Sequence, residues 1–123
     1  MSQRREPLEL TAHAYQRSIE RAVPSSVLDA LKHDAQEFLG HHPDHGRIRI
    51  RVIRTGDTFW VAPHKGGDIT TIYAKHRSEL RRWADTYLVN PNQNRHRLAL
   101  LPNHRTPKEA ITDELTAIWA MDA

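Results

Sequence analysis

Apolar residues at the start of the chain recur every three to four positions. Leu8, Ala12, Tyr15, Ile19 and Ala22 fall on one side of a helix from Ala12 to about Ala22, with Thr11 as its N-cap and Pro24 ending it. The spacing predicts that this side is buried. A second helix is predicted from about Ser26 to Leu39, capped by Ser25 or Ser26, with Val27, Leu28, Leu31, Ala35 and Phe38 or Leu39 inward and Gly40 at its end. His41 to Gly46 reads as a loop. The period then drops to two. Arg47-Ile48-Arg49-Ile50-Arg51-Val52 alternates strictly between cation and β-branched residue, as a half-buried strand does.

Short turns follow. Thr55-Gly56-Asp57 leads to a strand over Thr58–Ala62, where Trp60 must point away from Phe59 and Val61. A turn over His64–Asp68, with Gly66-Gly67 favouring a tight hairpin, leads to a third strand over Ile69–Ala74. A third helix, from about Arg77 to Leu88, points Leu80, Trp83, Ala84 and Tyr87 inward. Asn90–Asn94 reads as a polar loop and Arg95–Leu101 as a short fourth strand. Thr106-Pro107-Lys108-Glu109 is a capping box with Pro at the first helical position, followed by an apolar row of Ile111, Leu115, Ile118 and Trp119. The fold class is α+β: N-terminal helices, an antiparallel three- or four-stranded meander, and further C-terminal helices. A chain of 123 residues makes one domain, 1–123, with 1–9 a frayed polar start and 89–123 an extension that ends in a helix.

Composition narrows the classes. No window approaches eighteen uninterrupted apolar residues, so no membrane span or membrane partner is expected. The polar start has no apolar stretch of the kind that secretion signals use. With no Cys there is no disulfide framework and no thiolate chemistry, and a cytoplasmic location is expected. Charge is unevenly spread: residues 45–105 hold twelve basic and four acidic side chains, the remainder six basic and eleven acidic. Fourteen of the eighteen basic residues are Arg, whose planar fork suits phosphate. An arginine-favouring genome gives the same count, so charge alone decides nothing.

His13, Arg17 and Arg21 follow one another at spacings of four, which places them in one row on the first helix. Such a row offers an acid or base beside guanidinium groups for a phosphate; it is equally the pattern of a solvated helix face with Glu20 as a neighbour. The segment Thr11-Ala12-His13-Ala14-Tyr15-Gln16-Arg17-Ser18-Ile19-Glu20-Arg21-Ala22-Val23 resembles the HAxxRxxERxV opening of small RelE/ParE-like toxin domains, in the wider superfamily of barnase, EndoU, colicin and RelE ribonucleases. Ile69-Thr70-Thr71-Ile72-Tyr73 is similar to a late strand of that family, with Thr71 at its Thr position. The resemblance covers roughly residues 8–76 and implies a helix bearing His and Arg ahead of an antiparallel sheet. It also implies a metal-independent endoribonuclease acting on RNA. In that mechanism His13 is base or acid, Arg17 or Arg21 the phosphate clamp and Thr71 a hydrogen-bond donor. An antitoxin, immunity or host protein is the implied partner.

Arg47, Arg49 and Arg51 share one strand face, and with Lys65 they are the candidate nucleic-acid contacts if that face is open. If a helix covers it, their stems merely snorkel. His64 and Lys65 at a hairpin tip either close over a substrate or form a solvated turn. The histidines at 33, 41, 42 and 45 lack an HExxH spacing and any Cys, so no metal and no other cofactor is expected. P-loop, GxGxxG, GxSxG and paired-carboxylate motifs are absent. A different class fits the same features: a non-catalytic, phage-type interaction protein whose basic sheet binds nucleic acid or an acidic host protein. ParE-like inhibition of a host enzyme is a third.

Overall fold

Six strands and four helices build the part of the chain that the computed structural model describes, residues 7–44 and 46–104. In order these are β1 (Glu9–Leu10), α1 (Ala12–Glu20), α2 (Ser25–His33), β2 (Gln36–His42), β3 (Gly46–Thr55), β4 (Thr58–Lys65), β5 (Asp68–Ile69), β6 (Tyr73–His76), a 3-10 turn (Arg77–Glu79), α3 (Leu80–Tyr87) and α4 (Pro91–Ala99). The sheet runs β1-β5-β4-β3-β2, with β6 also paired to β4. Its pairs are antiparallel except β1 with β5. The class is α+β. The helix expected after Thr106 lies outside the described residues.

The alternating segment is the central strand. Ile48, Ile50 and Val52 of β3 join Phe38 of β2 and Phe59 and Val61 of β4 under Trp83, Ala84, Leu98 and Leu101. On the other face Val27 and Leu31 of α2, Ala14 of α1 and Leu8 pack on Ala62, Ile69 and Ile72. Trp60 belongs to this second cluster and donates its indole N–H to Thr55 Oγ1 at 2.9 Å, so it is a packed side chain rather than a stacking platform.

Five elements differ from expectation. The end of the start expected to be frayed is ordered: Leu8 is buried and its N–H donates to the Lys32 carbonyl at 2.9 Å, and Glu9 and Leu10 pair with Asp68 and Ile69 as β1. The second helix stops at His33, not Leu39, and the chain re-enters the sheet as β2, pairing Phe38 with Ile50. Phe38 and Leu39 continue the helical spacing of Leu31 and Ala35 by coincidence. Gly40 betrays the strand, because a Cβ there would lie 2.5 Å from Ile50 Cδ1 and 2.9 Å from the Tyr87 carbonyl oxygen. The stretch Pro91–Ala99 is α4, not a polar loop followed by a strand. Pro91 starts that helix, and its one buried side chain, Leu98, leaves no apolar period to read.

The third strand is split into β5 and β6. Pro63 of β4 accepts from the Thr70 N–H at 3.0 Å but has no N–H to return, so the ladder lapses over Thr70–Ile72 and resumes at Tyr73. Finally, α1 buries Ala14 and Ser18, while Tyr15 and Ile19 are 59% and 62% exposed. The small side brings the helix close to the sheet edge, and Ser18 is burial-compatible because its hydroxyl donates to the Tyr15 carbonyl at 2.6 Å.

Candidate functional site

The break in the third strand positions a cleft. Helix α1 ends beside it: Ala22 takes a left-handed conformation (φ 49°), which closes the helix and leaves Arg21 at its rim. Arg21 Nη1 donates to the Ile72 carbonyl and, at 3.5 Å, to Thr71 Oγ1. These two acceptors are available because Thr70–Ile72 lies outside the ladder. Thr71 accepts this bond and keeps its own hydroxyl proton to donate.

The cleft measures about 940 Å³ and has three kinds of wall. Ile48, Ile50, Pro63, Ala74 and Tyr87 make an apolar floor. Cations and imidazoles make the rim: His13, Arg21, His42, Lys65 and Lys75, while His64 also lines the cleft but sends its imidazole to the other face of the sheet. Thr70, Thr71 and Tyr73 supply hydroxyls, and among the described residues no carboxylate lines it. Burial pushes the Tyr73 phenol up to about 12, and its oxygen accepts the Trp83 indole N–H at 2.9 Å. Tyr73 is therefore a neutral hydrogen-bonding group at any working pH. A groove of about 380 Å³, lined among others by Arg47 and Arg49, adjoins the cleft and shares Ile48, His64 and Lys65 with it.

Three of the four residues proposed from the opening motif and the late strand, His13, Arg21 and Thr71, meet at this cleft. Arg17 does not. It pairs with Glu20 at 2.7 Å along the helix, and that hydrogen bond holds the Glu20 carboxyl below its ordinary range. Of the binding set, Arg47 is exposed, Arg49 reaches Glu37 at 3.4 Å, and Lys65 lines both the cleft and the groove. Arg51 is the correction. It is 4% exposed, and its Nη1 donates to the carbonyls of Leu31 and Lys32 at 3.0 and 2.8 Å. Those carbonyls end α2, so the guanidinium satisfies the helix terminus rather than a phosphate.

The residue that sequence reasoning undervalued is Glu37. On β2, where a helix was expected, it accepts a hydrogen bond from His64 Nε2 across the sheet. Burial raises the Glu37 pKa, but the His64 hydrogen bond and the positive charges of Arg49 and Arg51 outweigh it, and the carboxyl sits below its ordinary value. Burial lowers the His64 pKa, and the neighbouring Arg51 and Arg49 add to this against the pull of Glu37, leaving the ring neutral at neutral pH. Among the described residues no group of three or more His, Asp or Glu is arranged to hold a metal ion, and no helix is long and apolar enough to cross a membrane. No protein-family model, curated protein or solved structure matches the chain.

Proposed function

We propose that the cleft cleaves RNA by attack of a ribose 2′-hydroxyl on the adjacent phosphodiester, with the protein's own side chains supplying the acid, base and cations. The observation that carries this reading is the meeting of His13, Arg21 and Thr71. A residue of α1, the residue that caps it and a residue of the strand break fifty positions beyond Arg21 border one cleft that has no acidic lining among the described residues. The resemblance of the opening helix and the late strand to RelE/ParE-like domains points the same way. Arg21 clamps a non-bridging oxygen and Lys65 adds positive charge where the pentacovalent phosphorus gains negative charge. Thr71 donates a hydrogen bond to the same group, and His13 exchanges a proton with the reacting oxygens. The apolar floor gives an unpaired base somewhere to lie. Such an enzyme works in the cytoplasm, where RNA is, and needs an inhibiting antitoxin or immunity protein as its partner.

The adjoining groove with Arg47 and Arg49 favours a second reading, a module that holds nucleic acid without cutting it. Incubation of purified protein with total RNA separates the two. The first reading expects cleavage unaffected by chelator and slowed about 10²–10⁴-fold in His13→Ala at unchanged melting temperature. Salt-sensitive binding without cleavage supports the second.

A further inference from the structure

We propose that the cleft selects the base it holds: the Tyr73 phenol donates a hydrogen bond to a ring carbonyl, so uracil or guanine lies on the apolar floor in preference to cytosine or adenine. The inference deepens the reading of the cleft as an RNA site and rests on it for the class of ligand.

Strand register sets where the phenol goes. Tyr73 of β6 pairs with Val61 of β4, two residues before Pro63, and Pro63 pairs with Ile50 of β3. Paired residues share a face, as do alternate residues of one strand. Tyr73 therefore stands on the same face as Pro63, Ile50 and Ile48, which floor the cleft. Trp83 of α3 holds it from the core side. That indole is 4% exposed, and its N–H donates to the phenol oxygen at 2.9 Å.

Counting protons at this oxygen leaves one over. An indole nitrogen only donates, so the phenol oxygen is the acceptor of that bond and keeps its own proton to give. Burial holds the proton in place, with the pKa pushed up to about 12. Among the described residues no group accepts it. The cation nearest the ring, Lys75 Nζ at 5.9 Å from its centroid, is itself only a donor. The phenol proton turns away from the indole proton, and Tyr73 lines the cleft whereas Trp83 belongs to the core behind it. The bond to Trp83 explains the position of the oxygen but makes no use of the proton. Tyr73 is a half-buried donor fixed in direction before any ligand arrives.

What such a donor accepts follows from the edges of the bases. Guanine carries O6 and uracil, like thymine, carries O4, where adenine and cytosine carry amino groups. A carbonyl replaces the water that a base displaces from the phenol and completes the bond. An amino group sets proton against proton and leaves a buried donor unpaired, which is the costlier fault. Tyr87, also on the cleft wall, offers its ring to the face of the base.

The test measures binding of nucleoside 3′-phosphates to the full chain by NMR titration, with melting temperatures and cleavage of a mixed-sequence oligoribonucleotide taken alongside. Uridine and guanosine 3′-phosphates are expected to bind about tenfold or more tightly than the cytidine and adenosine nucleotides. Tyr73→Phe is expected to bring each pair within about twofold. That variant also strips Trp83 of its acceptor, so a fall in melting temperature accompanies it. Trp83→Phe loses the same internal bond and keeps the phenol proton, so it is expected to melt lower yet retain the preference. Equal affinities in wild type, or a preference that survives in Tyr73→Phe, overturn the proposal. Should Tyr73→Phe fail to fold, wild type with the analogue of uridine 3′-phosphate that lacks the 4-oxygen decides: binding about tenfold weaker supports the proposal, and equal binding overturns it. Cleavage without any preference among bases overturns this inference and leaves the ribonuclease reading standing. A preference in binding without cleavage supports this inference and removes the cutting step. If none of the four nucleotides binds, the inference falls.

Discussion

Two rows of three basic side chains run through this chain, one on a helix and one on a strand. His13, Arg17 and Arg21 repeat every four residues; Arg47, Arg49 and Arg51 repeat every two. Each spacing is right for its element, and each row lies on one side of it. Within the rows the roles diverge. Arg21 turns to the break at Thr71 and Ile72, whereas Arg17, one turn earlier, is held by Glu20. Arg47 is exposed, Arg49 leans on Glu37, and Arg51 disappears beneath α2. Periodicity assigns a face. What crosses that face decides whether a cation serves stability, a neighbour or a ligand.

The comparison breaks most visibly at Arg51. Replacement by Met removes a buried guanidinium from two helix-terminal carbonyls and leaves Glu37 with one cation fewer. A loss of about 2–4 kcal/mol in urea unfolding is expected. Arg47→Ala and Arg49→Ala, at exposed positions, are expected to stay within about 0.5 kcal/mol. Next comes the helix row. Arg21→Ala is expected to cost about 10²-fold or more in cleavage, as the loss of a preorganised donor to the reacting phosphate does. Arg17→Ala is expected to change the rate less than about twofold, since it removes an exposed pair worth little.

How far these roles were legible in the sequence follows from range. The alternation of Arg47–Val52, the inward set of α3 and the antiparallel pairing of the first two expected strands are local patterns, and they appear as the sequence implies. Burial of Arg51 is not local, because it depends on α2 ending over β3. The breaking of the third strand depends on Pro63, seven positions before Thr70, and no pattern within Ile69–Ala74 carries it. Gly40 was the legible clue to β2, yet a glycine after an apolar run also ends a helix. The row at His13, Arg17 and Arg21 was visible, but a spacing of four cannot distinguish the side facing the cleft from the side facing Glu20. The same ambiguity turned α1 by its small face rather than by Tyr15 and Ile19.

Smaller effects sharpen the comparison further. The pKa of His64 lies below its ordinary 6.5 and that of Glu37 below its ordinary 4.5 in the folded chain. In both cases the unfolded chain binds the proton more tightly, so stability rises with pH through these windows and is lost on acidification. Urea midpoints are expected to fall first below pH 6.5, through His64, and again below pH 4.5, through Glu37. Glu37→Gln is expected to remove the second fall. The smallest effect belongs to the exposed strand cations: Arg47→Ala is expected to reduce the salt dependence of RNA binding by about one counterion, and Arg17→Ala to leave it unchanged.

The central claim is that the cleft between α1 and the broken strand is where RNA is held and cut. Amide and side-chain NMR shifts of the protein, followed as a short uncleavable 2′-O-methyl oligonucleotide is added, test it most directly. The account predicts large shifts at His13, Arg21, Lys65 and Thr71, smaller ones at Arg47 and Arg49, and none at Arg17 or Arg51. Shifts confined to Arg47 and Arg49, with His13, Arg21 and Thr71 silent, contradict it.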